Sequence, residues 1–318
     1  MEPDARVSTA AEARPTTSFP PIVVNRATTH EGSHLRVVLL NAASGRRFRE
    51  ILKFLQRPPL RAADVILLCE VNSGMSWSPG RDVAVELGEA LKMSCAYVPQ
   101  FGFARPGGKV TRFTGNAILS SASFEDVLAV PIYRPAAPYV WSRGSPRWKR
   151  VGGPAGIVTR VKFSGAEITV GVAHMHSRCA PAERARQMAS YLEWFPRSGR
   201  AIFGGDLNTT TVELPSRAHL LPTMRQMFVN PQRFRAPQPY EPLFEHLRDH
   251  GLQIDGLNVP DRPTFTFSGL IPRSMRPKLD WLAVRDLRPV AGTAAVIEPR
   301  SLLRRASDHD FVTVALEL

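Results

Sequence analysis

The sequence predicts a layered α/β protein with mixed sheets. Short apolar runs recur along the chain, some joined by tight turns and others by segments of helical period, so hairpins and βα steps both occur. Purely parallel sheets have no hairpins, so the sheets should be mixed. With 318 residues, 43% of them hydrophobic, the chain can bury a sizeable core.

Residues 1–34 are rich in Ala, Thr, Pro, Ser and charge and are expected to form a mobile tail; the folded region should span 35–318. Leu35–Leu40 is an apolar run closed by Asn41 and reads as a buried strand. Phe48, Ile51, Leu52 and Leu55 repeat at helical spacing, and Pro58-Pro59 stops that helix. Asp64–Cys69 is a second buried strand, ending at the charge of Glu70. Val83, Leu87 and Leu91 mark a helix over 80–92, and Ala117–Leu119 a strand after Gly115-Asn116. Residues 131–153 are broken by prolines and read as irregular; they carry Trp141, Trp148, Arg134, Arg143, Arg147, Lys149 and Arg150. Ile157–Phe163 and Ile168–Ala173 flank Ser164-Gly165 and form a hairpin. A helix over 182–195 follows, then the strand Ala201–Phe203. Residues 222–242 read as a long surface loop, and Thr264–Phe267, Leu279–Val284, Thr293–Ile297 and Phe311–Leu316 as the closing strands.

Charge and composition narrow the function. Lys plus Arg is 41 against 28 Asp plus Glu, a net +13, which favours anionic partners such as nucleic acid, phosphorylated metabolites or an acidic surface. A charged fraction of 22% beside that apolar content excludes a wholly disordered chain. No apolar run approaches the roughly 18 residues of a membrane span, so stable membrane insertion is not expected. The 3 cysteines, Cys69, Cys95 and Cys179, have neither disulfide nor zinc spacing and should be reduced thiols. The opening MEPDARVSTAAEARP lacks the apolar stretch of a secretory signal, and a cytoplasmic location is expected.

Polar residues stand where the apolar runs end: Asn41, Glu70, His174, Asp206 with Asn208, Asp280, and Asp308-His309. Sites in layered α/β proteins form at strand ends and adjoining loops. A set rich in carboxylates suits a hard divalent cation, Mg²⁺ or Mn²⁺, better than zinc.

In order, these motifs resemble the endonuclease/exonuclease/phosphatase superfamily of DNase I-like metal-dependent phosphoesterases. Leu-Leu-Asn41 resembles its first strand, Leu-Leu-Cys-Glu70 the strand with the metal-ligand Glu, and Gly115-Asn116-Ala-Ile-Leu-Ser the GNAILS strand. Val172-Ala-His174-Met-His176 resembles the strand with the catalytic His, and Arg184 with Gln187 the helix after it. Gly205-Asp206-Leu-Asn208, Leu279-Asp280-Trp281 and Ser307-Asp308-His309 match the closing motifs. Four flanking positions depart from the family pattern: Leu40 for an aromatic, Cys69 for Gln, and Ala173 and Met175 where Ala173-His174-Met175 stands for Thr-His-Leu.

The resemblance implies a four-layer sandwich, two mixed sheets face to face with helices outside. It implies Mg²⁺ or Mn²⁺ held by Glu70 with Asn41 and Asp308, and a catalytic set of His174, Asp206, Asn208, Asp280 and His309. In that scheme Asp280 orients His309, Asn208 and His174 support the phosphoryl oxygens, and either His309 or Asp206 is the general base. His176 is a further candidate for substrate contact. The expected reaction is phosphodiester hydrolysis, foremost in nucleic acid, with the basic segment 134–150 as a clamp and its tryptophans as stacking faces. A phospholipid or small phosphate ester is the alternative substrate, and a non-catalytic nucleic-acid-binding module the alternative function.

Overall fold

A computed structural model of the chain describes residues 19–26, 32–135, 148–213, 225–226, 229–266, 272–301 and 304–318. In chain order its elements are β1 (Ile22–Val24), β2 (His34–Asn41), α1 (Phe48–Leu55), β3 (Val65–Ser73), α2 (Val83–Leu91), β4 (Ser94–Ala104), β5 (Arg112–Ser120), β6 (Phe124–Pro131) and β7 (Lys149–Gly152). The hairpin β8 (Ala155–Phe163) and β9 (Ala166–His174) follows, then α3 (Pro181–Leu192) and β10 (Ala201–Asp206). The remainder comprises α4 (Gln232–Arg235), α5 (Leu243–Asp249), β11 (Asp280–Arg285), β12 (Arg288–Pro289), β13 (Ala295–Ile297) and β14 (Phe311–Glu317).

Among the described residues the strands form a nine-stranded sheet, ordered β1-β4-β5-β3-β2-β14-β12 with β13 on β14 and β7 on β4, and a five-stranded sheet, β11-β10-β9-β8-β6. Both are mixed: β2 runs parallel to β3 and β9 to β10, while their other neighbours are antiparallel.

The alternation of side chains assigns the layers. On β2, Val37 and Leu39 face the other sheet, in one core with Ile157, Val170, Val172, Ile202 and Leu282. Val38 and Leu40 face outward, packing with Ile51 and Leu55 of α1 and Val83 and Leu87 of α2. A strand covered on both faces must be apolar at every position, which is why these runs show no alternation. Behind the five-stranded sheet, Phe203 and Trp281 pack with Met188 and Tyr191 of α3 and Leu243 and Leu247 of α5. The layers are therefore α/β/β/α. Gly204 is required by this packing, since a Cβ there would lie 2.8 Å from Leu67 of the opposing sheet.

Several expectations are corrected. Ile22–Val24, expected within a mobile tail, pairs antiparallel with β4, and Phe19 packs edge-on against Phe113. β3 does not end at Glu70 but continues to Ser73. The strands β4 and β6 were not expected; β4 contains Pro99 and Gly102, and β6 has an exposed face, which disguise them. Residues 131–153 are not irregular throughout, since β7 pairs with β4; Trp141, Arg143 and Arg147 lie outside the described residues. Within 222–242, α4 and a 3₁₀ turn at Gln238–Tyr240 replace plain loop, with Phe234 buried as their anchor. In place of a Thr264–Phe267 strand, Phe265 makes one isolated bridge to His309, and Phe267 lies outside the described residues.

Candidate active site

Three residues of the five-stranded sheet stand level at its end. The ladder pairs Asp206 of β10 with His174 of β9 on one side and with Asp280 of β11 on the other. Gly205, just before Asp206, is forced by that neighbour: a Cβ there would meet the Ala173 carbonyl oxygen at 1.8 Å. Leu207 N–H donates to Leu279 O and Met175 N–H to Asp206 O, extending the ladder one step past the strands.

The nine-stranded sheet contributes Asn41 at the end of β2 and Glu70 within β3. Glu70 sits in a bulge, where the pairing with β5 shifts between Leu68 and Val71. The bulge reverses the alternation, so that Cys69 faces the inter-sheet core and Val71 the helices. The backbone of Glu70 is left-handed, with φ of 53°, which costs a non-glycine residue about 1–2 kcal/mol.

Contacts across the sheets join the two groups. Asn41 Nδ2 donates to Asp206 Oδ2 at 2.9 Å and to Glu70 Oε1 at 3.3 Å, while its Oδ1 accepts the Ala43 N–H. His174 Nε2 lies 3.5 Å from Asp206 Oδ2 and 3.9 Å from Glu70 Oε1. His309, in the turn before β14, meets Asp280 Oδ2 through Nδ1 at 2.8 Å, and its Nε2 is 3.6 Å from Asp206 Oδ2. Asp206, Asp280 and His309 offer ligand atoms within 4.8 Å of one another, so the described residues include a group able to hold a metal ion.

Burial sets the electrostatics. Asp280 is fully buried, and Asp206 and His309 nearly so. Desolvation raises the Glu70 and Asp206 carboxyls above their ordinary range, and the neighbouring imidazoles oppose the rise without cancelling it. Desolvation would lower the His309 imidazole, but the Asp280 and Asp206 carboxylates outweigh it and hold it well above its ordinary value.

Asn208, with left-handed φ of 48°, donates its backbone N–H to Asp206 Oδ1 and its amide to Met175 O, which braces the Asp206 carboxylate. Asp308 is exposed and is held through its carbonyl, which accepts the Thr266 N–H. Its negative charge acts on both Glu70 and His309. His176 is buried two residues past the end of β9: its N–H donates to Gln187 Oε1 and its Nδ1 accepts the Arg178 N–H. Arg184 is buried against Glu241, which also accepts the Thr211 N–H, so this ion pair anchors the segment after Asn208.

Sequence reasoning missed Thr264. Its hydroxyl accepts the N–H groups of Leu279 and Asp280, and its carbonyl accepts the N–H of Asp310, so one buried residue holds both sides of the Asp280–His309 pair. It also missed Ser44, whose Oγ lies 3.5 Å from Glu70 Oε2, and Asn72, which binds the Ser44 carbonyl. Neither a lone Thr nor a lone Ser carries a sequence signal; the Pro-Thr-Phe-Thr-Phe run around Thr264 reads only as a strand.

Two mixed sheets stacked between helices, with carboxylates and imidazoles joined across their common end, make a four-layer sandwich with its candidate site at one edge. The sequence pattern of the Endonuclease/Exonuclease/phosphatase family matches residues 38–309, and the chain belongs to that family, whose members hydrolyse phosphoesters. No curated protein matches the sequence. An endonuclease/exonuclease/phosphatase from Beutenbergia cavernae superposes with a TM-score of 0.57 at 18% identity, over 90% of this chain and 72% of that one. D. rerio TDP2, solved with a single-strand DNA product, gives 0.52 at 15% identity over 90% of this chain and 100% of its own. The human Nocturnin catalytic domain, solved with a sulfate anion, gives 0.53 at 14% identity over 93% and 96%. At these identities the likeness establishes the fold. Among the described residues no helix is long and apolar enough to cross a membrane.

Proposed function

We propose that the protein is a divalent-metal-dependent phosphodiesterase acting on nucleic acid. The observation that carries this is the chain of contacts from Asp280 through His309 to Asp206, closed by Asn41 onto Glu70.

The donor set fits a hard cation. Glu70 offers a carboxylate whose burial disfavours its charge, and a cation beside it offsets that cost. Asp308 adds a second carboxylate and Asn41 fixes the first, with no thiolate in reach: Cys69 is buried and its thiol is pushed far up by desolvation. Glu70, with Asp308 and Asn41 beside it, would hold Mg²⁺ or Mn²⁺, which supplies Lewis-acid polarisation of a phosphoryl oxygen when bound.

The residues of the chain do the rest. Asp280 fixes the His309 ring through Nδ1, and two carboxylates around that ring keep its proton in place. His309 therefore donates from Nε2 to a phosphoryl oxygen as charge builds. Asp206, held by the Asn208 N–H and the Asn41 amide, is then the acceptor for the proton of the attacking water. His174 Nε2 lies within 4 Å of both carboxylates and places a ring nitrogen on the same side of the site. The net charge of +13 supports a polyanionic substrate, as does the single-strand DNA product bound by D. rerio TDP2.

Turnover of bis-p-nitrophenyl phosphate with Mg²⁺ or Mn²⁺, abolished by EDTA, is the expected result, followed by cleavage within a panel of oligonucleotides, phospholipids and small phosphate esters at fixed salt. Full activity in excess EDTA sinks the metal assignment. Activity on lipid or small esters alone sinks the nucleic-acid assignment.

A further inference from the structure

We propose that exposed aromatic side chains around the site form a stacking platform for unpaired nucleobases, which makes the substrate single-stranded; the proposal deepens the nucleic-acid reading above and rests on it. Among the described residues the exposed aromatics are Trp77, Tyr133 and Tyr240, at 39%, 38% and 41%. The other large apolar residues exposed to a similar degree are aliphatic. A short chain of contacts links the segment of each ring toward the site.

Trp77 tips the loop between β3 and α2. That loop is compact: Ser78 and Gly80 both donate to the Met75 carbonyl, Gly74 donates to Arg81 O, and Met75 is buried beneath it. The Arg46 guanidinium lies 5.7 Å from the Trp77 ring centre. Arg46 follows Ser44, whose hydroxyl reaches Glu70 and whose carbonyl is tied to Asn72.

Tyr240 repeats the arrangement on the other sheet. The Arg233 guanidinium stands 4.6 Å from its ring and binds the hydroxyl and carbonyl of Thr211, three residues after Asn208. Tyr133 donates its N–H to Ser190 Oγ and accepts from Gln187, which also holds the N–H of His176 beside His174.

The physics selects the ligand. A nucleobase is a flat aromatic, and stacking on an exposed ring stabilises binding whatever the base. In a duplex both faces of a base are already stacked, so the platform is open only to unpaired bases. Rings carried on pinned loops lose little freedom on binding, and the guanidiniums of Arg46 and Arg233 put positive charge beside two of them. Trp148, the stacking face expected from sequence, differs: it is half-buried, with Arg112 and Arg105 at 4.1 and 5.5 Å from its ring centre.

The test is equilibrium anisotropy in EDTA at fixed salt. The probes are a single strand about 12 nucleotides long, the same strand with abasic sugars throughout, and the matching duplex. The parent should bind the base-bearing strand at least about tenfold tighter than the other two. Trp77→Ala and Tyr240→Ala should each weaken binding of that strand about fivefold or more, with no change on the abasic strand. Trp77→Phe should retain binding. Should an alanine variant fail to fold, Trp77→Leu or Tyr240→Leu, which keep bulk without a π face, should give the same pattern. Equal losses on base-bearing and abasic strands, or preference for duplex, overturn the platform while nucleic-acid binding stands. A parent that hydrolyses bis-p-nitrophenyl phosphate but binds none of the probes overturns the platform and the nucleic-acid reading together.

Discussion

On the five-stranded sheet, His174, Asp206 and Asp280 stand level because three neighbouring strands end in register, each in ordinary extended backbone. On the nine-stranded sheet, Glu70 reaches the same place from the middle of β3, through a bulge and a left-handed backbone. Register follows from the hydrophobic pattern and adds no strain. The bulge interrupts pairing and costs conformational energy, so the surrounding structure must impose it. One half of the site is thus a by-product of regular folding, and the other is held against local preference. The His309–Asp280 and Asn41–Asp206 contacts couple the halves.

The largest effect should come from cutting that coupling. His309→Ala and Asp280→Asn should each reduce kcat about 10³-fold, within the range of a lost acid–base or electrostatic group. In the proposed mechanism Asp280 acts by fixing the His309 ring, so the double variant should fall little below the singles. Losses that multiply in steady-state kinetics would show that the sheets act independently.

Glu70→Gln should follow, at about 10²-fold in turnover, with a matching loss of metal affinity by titration calorimetry. The stability of this variant moves the other way. Burial holds the Glu70 carboxyl above its ordinary range, so the folded chain binds that proton more readily than the unfolded chain. Stability therefore falls as pH rises from the ordinary carboxyl range through the raised Glu70 range, and the Gln variant lacks that component of the slope. In EDTA at neutral pH the Gln variant should melt higher, on the order of 2 °C. Added Mg²⁺ should raise the melting point of the parent alone. A Gln variant that melts lower in EDTA would show that the partly buried charge is already compensated.

The contrast between the sheets also explains what the sequence makes legible. Apolar runs covered on both faces stop abruptly at Asn41, His174 and Asp206, and those stops mark the site. Glu70 is marked as well, but Leu-Leu-Cys-Glu-Val-Asn-Ser carries no sign that the strand continues or that the backbone turns left-handed there. β1 is three residues inside a polar stretch and is fixed by contacts distant in sequence: its pairing with β4, the Phe19–Phe113 packing and the Asn25–Phe124 hydrogen bonds. Thr264 is invisible for a different reason: its role lies in three backbone hydrogen bonds to residues distant in sequence, and a hydroxyl that serves backbone leaves no pattern. Contacts made through side-chain type can be read from sequence, whereas those made through backbone geometry need the fold.

Thr264 gives the third test. Thr264→Val keeps shape and removes the acceptor for Leu279 and Asp280 N–H, so the Asp280–His309 pair should loosen. We expect kcat to fall about tenfold with KM unchanged, and Thr264→Ser to recover most of it. The downfield proton resonance of the His309–Asp280 hydrogen bond should weaken in the Val variant. A loss confined to thermal stability, with that resonance intact, would make Thr264 a packing residue only.

The smallest effect bears most directly on the contrast between register and strain. At Glu70 the left-handed backbone penalises any residue with a Cβ, so Glu70→Gly should be more stable than Glu70→Ala by about 1 kcal/mol. At Asp206 the backbone is regular strand, and glycine gains nothing there while losing more entropy on folding. Asp206→Gly should therefore be less stable than Asp206→Ala by about 0.5–1 kcal/mol. Within each pair the same carboxylate is lost, so charge and metal effects cancel and only backbone preference remains. Urea melts of the four variants in EDTA measure both differences. Opposite signs at the two positions are the expected result; the same sign at both would mean that β3 relaxes its bulge once the carboxylate is gone, and that the carboxylate, not the surrounding fold, holds the strained backbone in place.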